Sequence, residues 1–501
     1  MTPKPISSKA PSLGAQASRA VLWNVLFVPL RMIAEITATL IKLSVMTPLS
    51  FGMISLINST NNGLGTWIDL GTGRALPKFI PETARAGGPR AVTRLLLAAL
   101  GAQMALLSII GATLIGLRTF YLSYLRGQVT KAAVTTISDQ QALLQFIDQW
   151  NWLLIAAILA VLLFGIFYDV LMAYLSSFFK QRAWNSVTLV AQLLPPLLTA
   201  TVILAGFDIA GVVVVMVLAP AIATALVGWQ VLRHQREVAA LPQLADEGRI
   251  LPAGFVRYCG VSFLMTATDF LASGGFALFF TRNVVQAAIL AAGVNVVRMV
   301  LAYLYTPMVG VQVPLFTRVR QGEGGTLLGA YQSLIRLQVL LLVPGGVGLL
   351  LLARAVFALI NPAYVDAVPL VWALVPCLFL ESLLSTAHNA LIVYERLRVI
   401  IISRLLTLIC VPLVLLLFPI LGVLGAALAF GLARVAAGLW ATGSGYRLLG
   451  LRWPWRFSLR VVLASAIMAA GGRAERLAAF ARHQRTRPGA AGGAPAPAGD
   501  R

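Results

Sequence analysis

Residues 150–182 read WNWLLIAAILAVLLFGIFYDVLMAYLSSFFKQR. From Trp150 to Phe178 the run carries one ionisable acid, Asp169, and it closes on Lys180 and Arg182. A helix needs about 20 apolar residues to cross about 30 Å of hydrocarbon. Lipid offers the backbone no hydrogen-bond partner, so a helix is the form such a run takes. The cations at its end and the acid within it raise two questions. One is how the chain is threaded, and the other is why hydrocarbon holds a charge.

Working outward, comparable stretches cover 21–45, 49–73, 95–117, 150–178, 184–206, 209–232, 254–280, 284–315, 333–353, 368–393, 399–420 and 423–446, with a shorter one at 457–471. The pattern predicts an all-α polytopic membrane protein with 12 to 13 spans. Of the 501 residues, 59% are hydrophobic and 11% charged. The mean hydropathy is +0.86. A water-soluble fold of this composition would expose apolar surface that it has no polar residues to cover.

The net charge of +22 would suggest a nucleic-acid partner in a soluble chain. Here the cations sit in alternate gaps. With the N-terminus in the cytoplasm, the inner connections hold Lys4, Lys9 and Arg19, then Arg74, Lys78, Arg85, Arg90 and Arg94, and so on through Arg447, Arg452, Arg456 and Arg460. The outer connections hold Arg118, Arg126, Lys131, Arg282 and Arg354. This is the positive-inside pattern. It accounts for the charge as topology and predicts no nucleic-acid partner. The polar first stretch of about twenty residues precedes an apolar segment too long for a signal peptide, so no cleavable signal is expected. Cys259, Cys377 and Cys410 lie in or beside spans and form neither a disulfide framework nor a metal-binding spacing.

The chain also repeats itself. Leu76-Pro77-Lys78-Phe79 matches Val313-Pro314-Leu315-Phe316 at the same offset that carries Gly87-Gly88 onto Gly324-Gly325 and Asn58 onto Asn295. Further on the offset shortens, and Phe207–Gly211 aligns with Leu421–Gly425, as an insertion at 118–148 would produce. The expected organisation is two six-helix bundles, 1–233 and 254–446, related by a pseudo-twofold axis along the membrane normal. A cytoplasmic linker, 234–253, joins them. A short thirteenth span, 447–471, and a disordered low-complexity tail, 472–501, follow.

A charge at bilayer depth costs about 2.5–3.5 kcal/mol on insertion scales, so it normally faces a partner or a wet cavity. The candidates are Arg31, Lys42, Arg298 and Arg434, with the acids Glu35, Asp69, Asp169, Asp269 and Glu381. Arg31, Glu35 and Lys42 fall within about 40° of one another on a helix. Arg31 and Glu35 are spaced to pair, whereas Lys42 is left over and favours a cavity. Asn58, Asn62, Gly65 and Asp69 share one face of the second span, and Gly63, Gly65, Gly71 and Gly73 permit close approach or bending. Asp69 is placed to pair with Arg74. Ser262, Thr266, Asp269 and Ser273 form a stripe on the seventh span. The eighth carries Asn295, Arg298 and Tyr305, with Pro307 as an expected kink. Asp269 is the natural protein partner for Arg298. Glu381, Ser385 and His388 share a face of the tenth span, which reads either as a proton-exchanging pair or as a polar seam. Guanidinium forks in a central cavity suit phosphate oxygens. Lys42, Arg31, Arg298, Asn58 and Asn295 are therefore the candidate substrate-binding residues, with Glu35, Asp269, Glu381 and His388 as counter-charge or coupling groups. No catalytic residue, metal site or resident cofactor is expected.

The run Gly65-Thr66-Trp67-Ile68-Asp69-Leu70-Gly71, followed by Leu76-Pro77-Lys78-Phe79-Ile80-Pro81-Glu82 and Gly87-Gly88, resembles the second span and next loop of polysaccharide-biosynthesis flippases. These belong to the multidrug/oligosaccharidyl-lipid/polysaccharide exporter superfamily. Tyr303–Phe316, the stretch from His388-Asn389 to Glu395-Arg396, and Leu421–Ala427 are similar to the same family. The resemblance implies two bundles around a cavity. It also implies a bacterial plasma-membrane flippase that moves a polyprenyl-pyrophosphate-linked oligosaccharide to the outer leaflet by alternating access, driven by an ion gradient (proton or sodium) or the membrane potential. Arg31 and Arg298 match the cavity positions that would hold the pyrophosphate. Lipid-linked oligosaccharide, membrane lipid and other polysaccharide-assembly membrane proteins are the implied partners. Family members with extra helices carry them at the C-terminus, whereas here the thirteenth span gives way early to Arg/Ala/Gly/Pro sequence, as a truncated or frameshifted end would. The rival readings are a multidrug or organic-cation antiporter of the same fold, a membrane glycosyltransferase or polymerase on the same lipid carrier, and a scaffold.

Overall fold

The computed structural model describes residues 13–132, 137–178, 180–207, 209–239, 251–320, 322 and 325–485. It is helical throughout, and no strand occurs among these residues. The chain opens with α1 (Leu13–Val45), α2 (Pro48–Asp69) and α3 (Thr72–Gly116). The short α4 (Arg118–Thr130) and α5 (Ile137–Gln149) occupy the inserted stretch and are joined by an Arg126–Asp148 ion pair. Then come α6 (Asn151–Ser177), α7 (Gln181–Leu204) and α8 (Ile209–Ala239). After the linker, α9 (Phe255–Leu271) and α10 (Gly274–Ala277) lead into α11 (Val284–Arg320) and α12 (Leu327–Ile360). The series closes with α13 (Val368–Val393), α14 (Leu397–Thr407), α15 (Cys410–Leu421), α16 (Val423–Leu449) and α17 (Trp455–Arg485).

Every expected apolar stretch falls on a helix, but fewer of these helices meet the demands of a span. Among the described residues, nine are long and apolar enough to cross a membrane, or ten when the bent α9–α10 pair is counted as one. The second expected span, α2, is too polar, because Asn58, Asn61 and Asn62 interrupt it. Parts of α1 and α17 have side chains outside the described set. Two further departures concern shape. The expected seventh span bends by 48° after Leu271, where Ser273 accepts a hydrogen bond from the Phe276 amide and caps a new helix at Gly274. The helix α17 continues to Arg485, so the first part of the segment expected to be disordered is helical. The kink expected at Pro307 falls on a side chain outside the described set, and α11 runs through it. Most of the linker, 240–250, and the end, 486–501, lie outside the described residues.

Local chemistry sets the helix ends. Thr47 caps α2 by accepting from the Ser50 amide at 3.3 Å, and Pro48 occupies the first turn, where its missing N–H costs nothing. At the other end Leu70 and Gly71 turn left-handed, at φ 51° and 74°. Gly71 must be glycine for a second reason: a Cβ there would stand 2.3 Å from the Cys259 carbonyl oxygen.

Packing joins the early helices to the late ones at both ends. Near the α1–α2 turn, Tyr364 Oη donates to Met46 O at 3.0 Å, Asn361 Nδ2 to Leu43 O at 3.1 Å and Gln128 Nε2 to Thr281 O at 2.9 Å. Gly52 lets α2 touch α11, since a Cβ at Gly52 would lie 1.9 Å from Val284 O. At the α2–α3 end, Phe79 packs edge-on against Phe255 and Tyr258, with Lys78 Nζ 4.6 Å above the Tyr258 ring. The buried core runs through α2, α6, α11, α13 and α16. Between the two tied ends the helices part.

Candidate functional site

The parting encloses a cavity of about 800 Å³. It takes Lys42 from α1, and Asn58, Asn62 and Thr66 from α2. Thr266 and Asp269 come from α9, Ser273 from the bend, and Asn295 and Arg298 from α11. Burial along the helices shows which residues face this space. In α2 the exposed residues are Asn58, Asn62 and Trp67, and in 284–302 they are Asn295 and Arg298. Their neighbours on both helices, such as Met53, Leu56, Val296 and Val297, are fully buried. Helix periodicity thus turns one polar stripe from each helix toward the same space.

A smaller adjoining cavity of about 360 Å³ carries Glu35 and Gln192 and shares Lys42 and Asn295 with the first. The expected set is therefore brought together at Lys42, Asn58, Asn295, Arg298 and Asp269, with Glu35 beside it. Arg31, Glu381 and His388 do not line the central cavity.

The pairings differ from those expected. No ion pair joins Arg31 to Glu35 among the described residues; the Arg31 guanidinium lies 5.1 Å from the Trp184 ring centre instead. Between the same two helices the arrangement is also reversed, with Arg182 of α7 over Trp23 of α1 at 5.2 Å. These crossed contacts hold α1 to α7, where a cation over indole is worth about 0.5–2 kcal/mol. Asp69 does not pair with Arg74. Its carboxylate accepts from the Gly73 amide at 2.8 Å and from Thr72 Oγ1 at 3.1 Å, closing the α2–α3 turn. Nor does Asp269 pair with Arg298. It accepts from Arg404 Nη1 at 2.5 Å and from Arg74 Nη2 at 3.2 Å. Both arginines are missed functional candidates, because their place beside spans made them read as topology charges. The signal lay in the run Ile401-Ile402-Ser403-Arg404-Leu405-Leu406, where Arg404 stands inside an apolar stretch.

With Asp269 satisfied elsewhere, neither Arg298 nor Lys42 takes part in an ion pair among the described residues. Arg298 rests 5.6 Å from the Phe430 ring centre, which Arg434 also approaches at 5.4 Å. The tenth-span stripe is partly a seam: Ser385 hydrogen-bonds Tyr305, and Asn389 Nδ2 donates to Gln312 Oε1 at 2.6 Å. No cluster of His, Cys, Asp and Glu suited to a metal ion occurs among the described residues. The cavity therefore presents two cations outside any ion pair among the described residues, together with the Asp269 carboxylate, amides and hydroxyls.

No protein-family model and no curated protein matches the chain. Solved structures do. The fold is similar to that of the lipid II flippase MurJ in an inward closed conformation, with TM-score 0.68 and 10% identity over 90% of this chain and 91% of that one. It is also similar to a multidrug resistance MATE family transporter of the MOP superfamily in its inward-facing conformation, with TM-score 0.58 and 14% identity over 83% and 94%. The outward-facing conformation of such a transporter gives TM-score 0.55 and 13% identity over 86% and 95%. Identities this low carry the fold and nothing finer. The chain is a multi-pass membrane protein with the fold that these structures share.

Proposed function

We propose that the protein is a bacterial plasma-membrane flippase for polyprenyl-pyrophosphate-linked oligosaccharide. It works by alternating access between two six-helix halves, with its N-terminus in the cytoplasm. The observation that carries the reading is that half-buried Lys42 and exposed Arg298, with no ion pair among the described residues, line a cavity large enough for a diphosphate headgroup. Low dielectric around the cavity strengthens their field, and the Arg298 fork matches phosphate oxygens. Asn58, Asn62 and Asn295 add donors and acceptors for sugar hydroxyls. A lipid tail would stay in the bilayer while the headgroup crosses. The similarity to a lipid II flippase fold supports the reading. The likeness to multidrug transporters does not distinguish cargo, but a cationic drug would meet like charge here.

A ligand shifts inward-open and outward-open states only by binding them unequally. Glu35, beside Lys42, is the acid best placed to carry the coupling proton or sodium ion. The test is a leaflet assay in proteoliposomes with a pyrophosphate-linked oligosaccharide, run with and without proton, sodium and potential gradients. Wild type is expected to flip the lipid and Arg298→Ala to lose at least about tenfold in rate, which is 1.4 kcal/mol. Undiminished flipping by Arg298→Ala, with normal insertion, would remove the cavity from the mechanism.

A further inference from the structure

A third cavity, of about 370 Å³, lies at the α1–α2 end. Buried Met46 and Val212 line both it and the central cavity, and so form the wall between them. Its far side is α5, part of the stretch 118–148 that interrupts the internal repeat. Its chemistry is the inverse of the central cavity's: no Lys, Arg or His is among its lining residues. It presents the Asp139 carboxylate, the Gln145 and Gln149 amides and the Thr47 hydroxyl, with the rings of Trp150 and Phe207. The side chains of Asp139, Gln145 and Gln149 make no hydrogen bond among the described residues. Trp150 is 51% exposed and Phe207 64%.

We infer that this pocket binds a neutral saccharide. Each amide offers donors and an acceptor in one plane, and the carboxylate adds two acceptor oxygens, which together suit adjacent sugar hydroxyls. The indole and phenyl faces suit the C–H face of a pyranose. A phosphate or a uronic acid would find no cation and one repelling carboxylate. With the basic connections in the cytoplasm, the pocket opens on the outer side, where a saccharide carried across the membrane would emerge. That placement rests on the threading proposed above, but the binding itself does not.

The test uses full-length protein in nanodiscs and saturation-transfer NMR. The ligands are a neutral N-acetylglucosamine tetramer, an acidic galacturonate tetramer and tetraethylammonium. The neutral oligomer is expected to bind about tenfold more tightly than the acidic one. Gln149→Ala and Trp150→Ala should each weaken it severalfold, and Asp139→Lys should shift the preference toward the acidic oligomer. Arg298→Ala should leave it unchanged even where flipping is lost, so this site and the central one fail separately. Equal binding of the two oligomers, preference for tetraethylammonium, insensitivity to all three pocket variants, or loss in Arg298→Ala would overturn the proposal. Thermal midpoints matching wild type establish that each variant is folded.

Discussion

At the scale of single residues, Asp269 shows what a sequence reveals and what it hides. An acid inside an apolar run announces a partner. Its partner was expected one span away, at Arg298, because adjacent spans tend to be neighbours. The structure gives it Arg404 and Arg74 instead, brought in from α14 and α3. Pairing across such separations depends on how helices pack, which periodicity does not encode. Replacing Asp269 by Asn leaves two guanidinium groups without their acceptor. The groups are partly exposed, at 29–46% of their side-chain surface, so the loss is held to about 1–3 kcal/mol rather than the larger cost of a dry pair. A lowered thermal midpoint in detergent is the expected result. Combining Asp269→Asn with Arg404→Gln should lose less than the sum of the two, a coupling that a double-mutant cycle measures.

At the scale of helices, the legible part was which stretches form them. The illegible part was how closely they meet. Gly63, Gly65, Gly71 and Gly73 were marked by sequence as sites of close approach. Gly63 and Gly71 fit that description, with an added Cβ 2.8 Å from the Phe270 ring and 2.3 Å from Cys259 O. Gly65 does not, as its nearest neighbour would be a flexible Leu162 methyl at 3.8 Å. The tightest contact is at Gly52, which nothing in its local sequence distinguishes. Gly52→Ala must push α2 off α11, because the obstacle is backbone, and is expected to cost about 1–3 kcal/mol. Gly65→Ala should be neutral or slightly stabilising through helix propensity. Paired thermal unfolding of the two variants checks the contrast. The break between α9 and α10 was also within reach: Ser273-Gly274-Gly275 is a cap and two weak helix formers in a row.

At the scale of the whole molecule, the cavity was legible as polar positions recurring at helical spacing on helices otherwise apolar. Its net charge was less so, because that depends on Asp269 being engaged elsewhere. The field of Lys42 and Arg298 should be measurable from within. In a background lacking Cys259, Cys377 and Cys410, an Asn58→Cys thiol is expected to react about tenfold faster with an anionic thiol reagent than with a cationic one at low salt. Arg298→Glu should reverse the ratio, and added salt should flatten it. The order of the helices along the chain carries one more implication. Gly52 seats α2 directly against α11, and α2 is synthesised long before Arg298 emerges from the ribosome. That arginine is thus threaded into a bilayer where its sheltering wall already stands. A circularly permuted gene beginning at α9 would send that arginine in first, and its product should be retained or degraded at the insertion machinery although every final contact is unchanged.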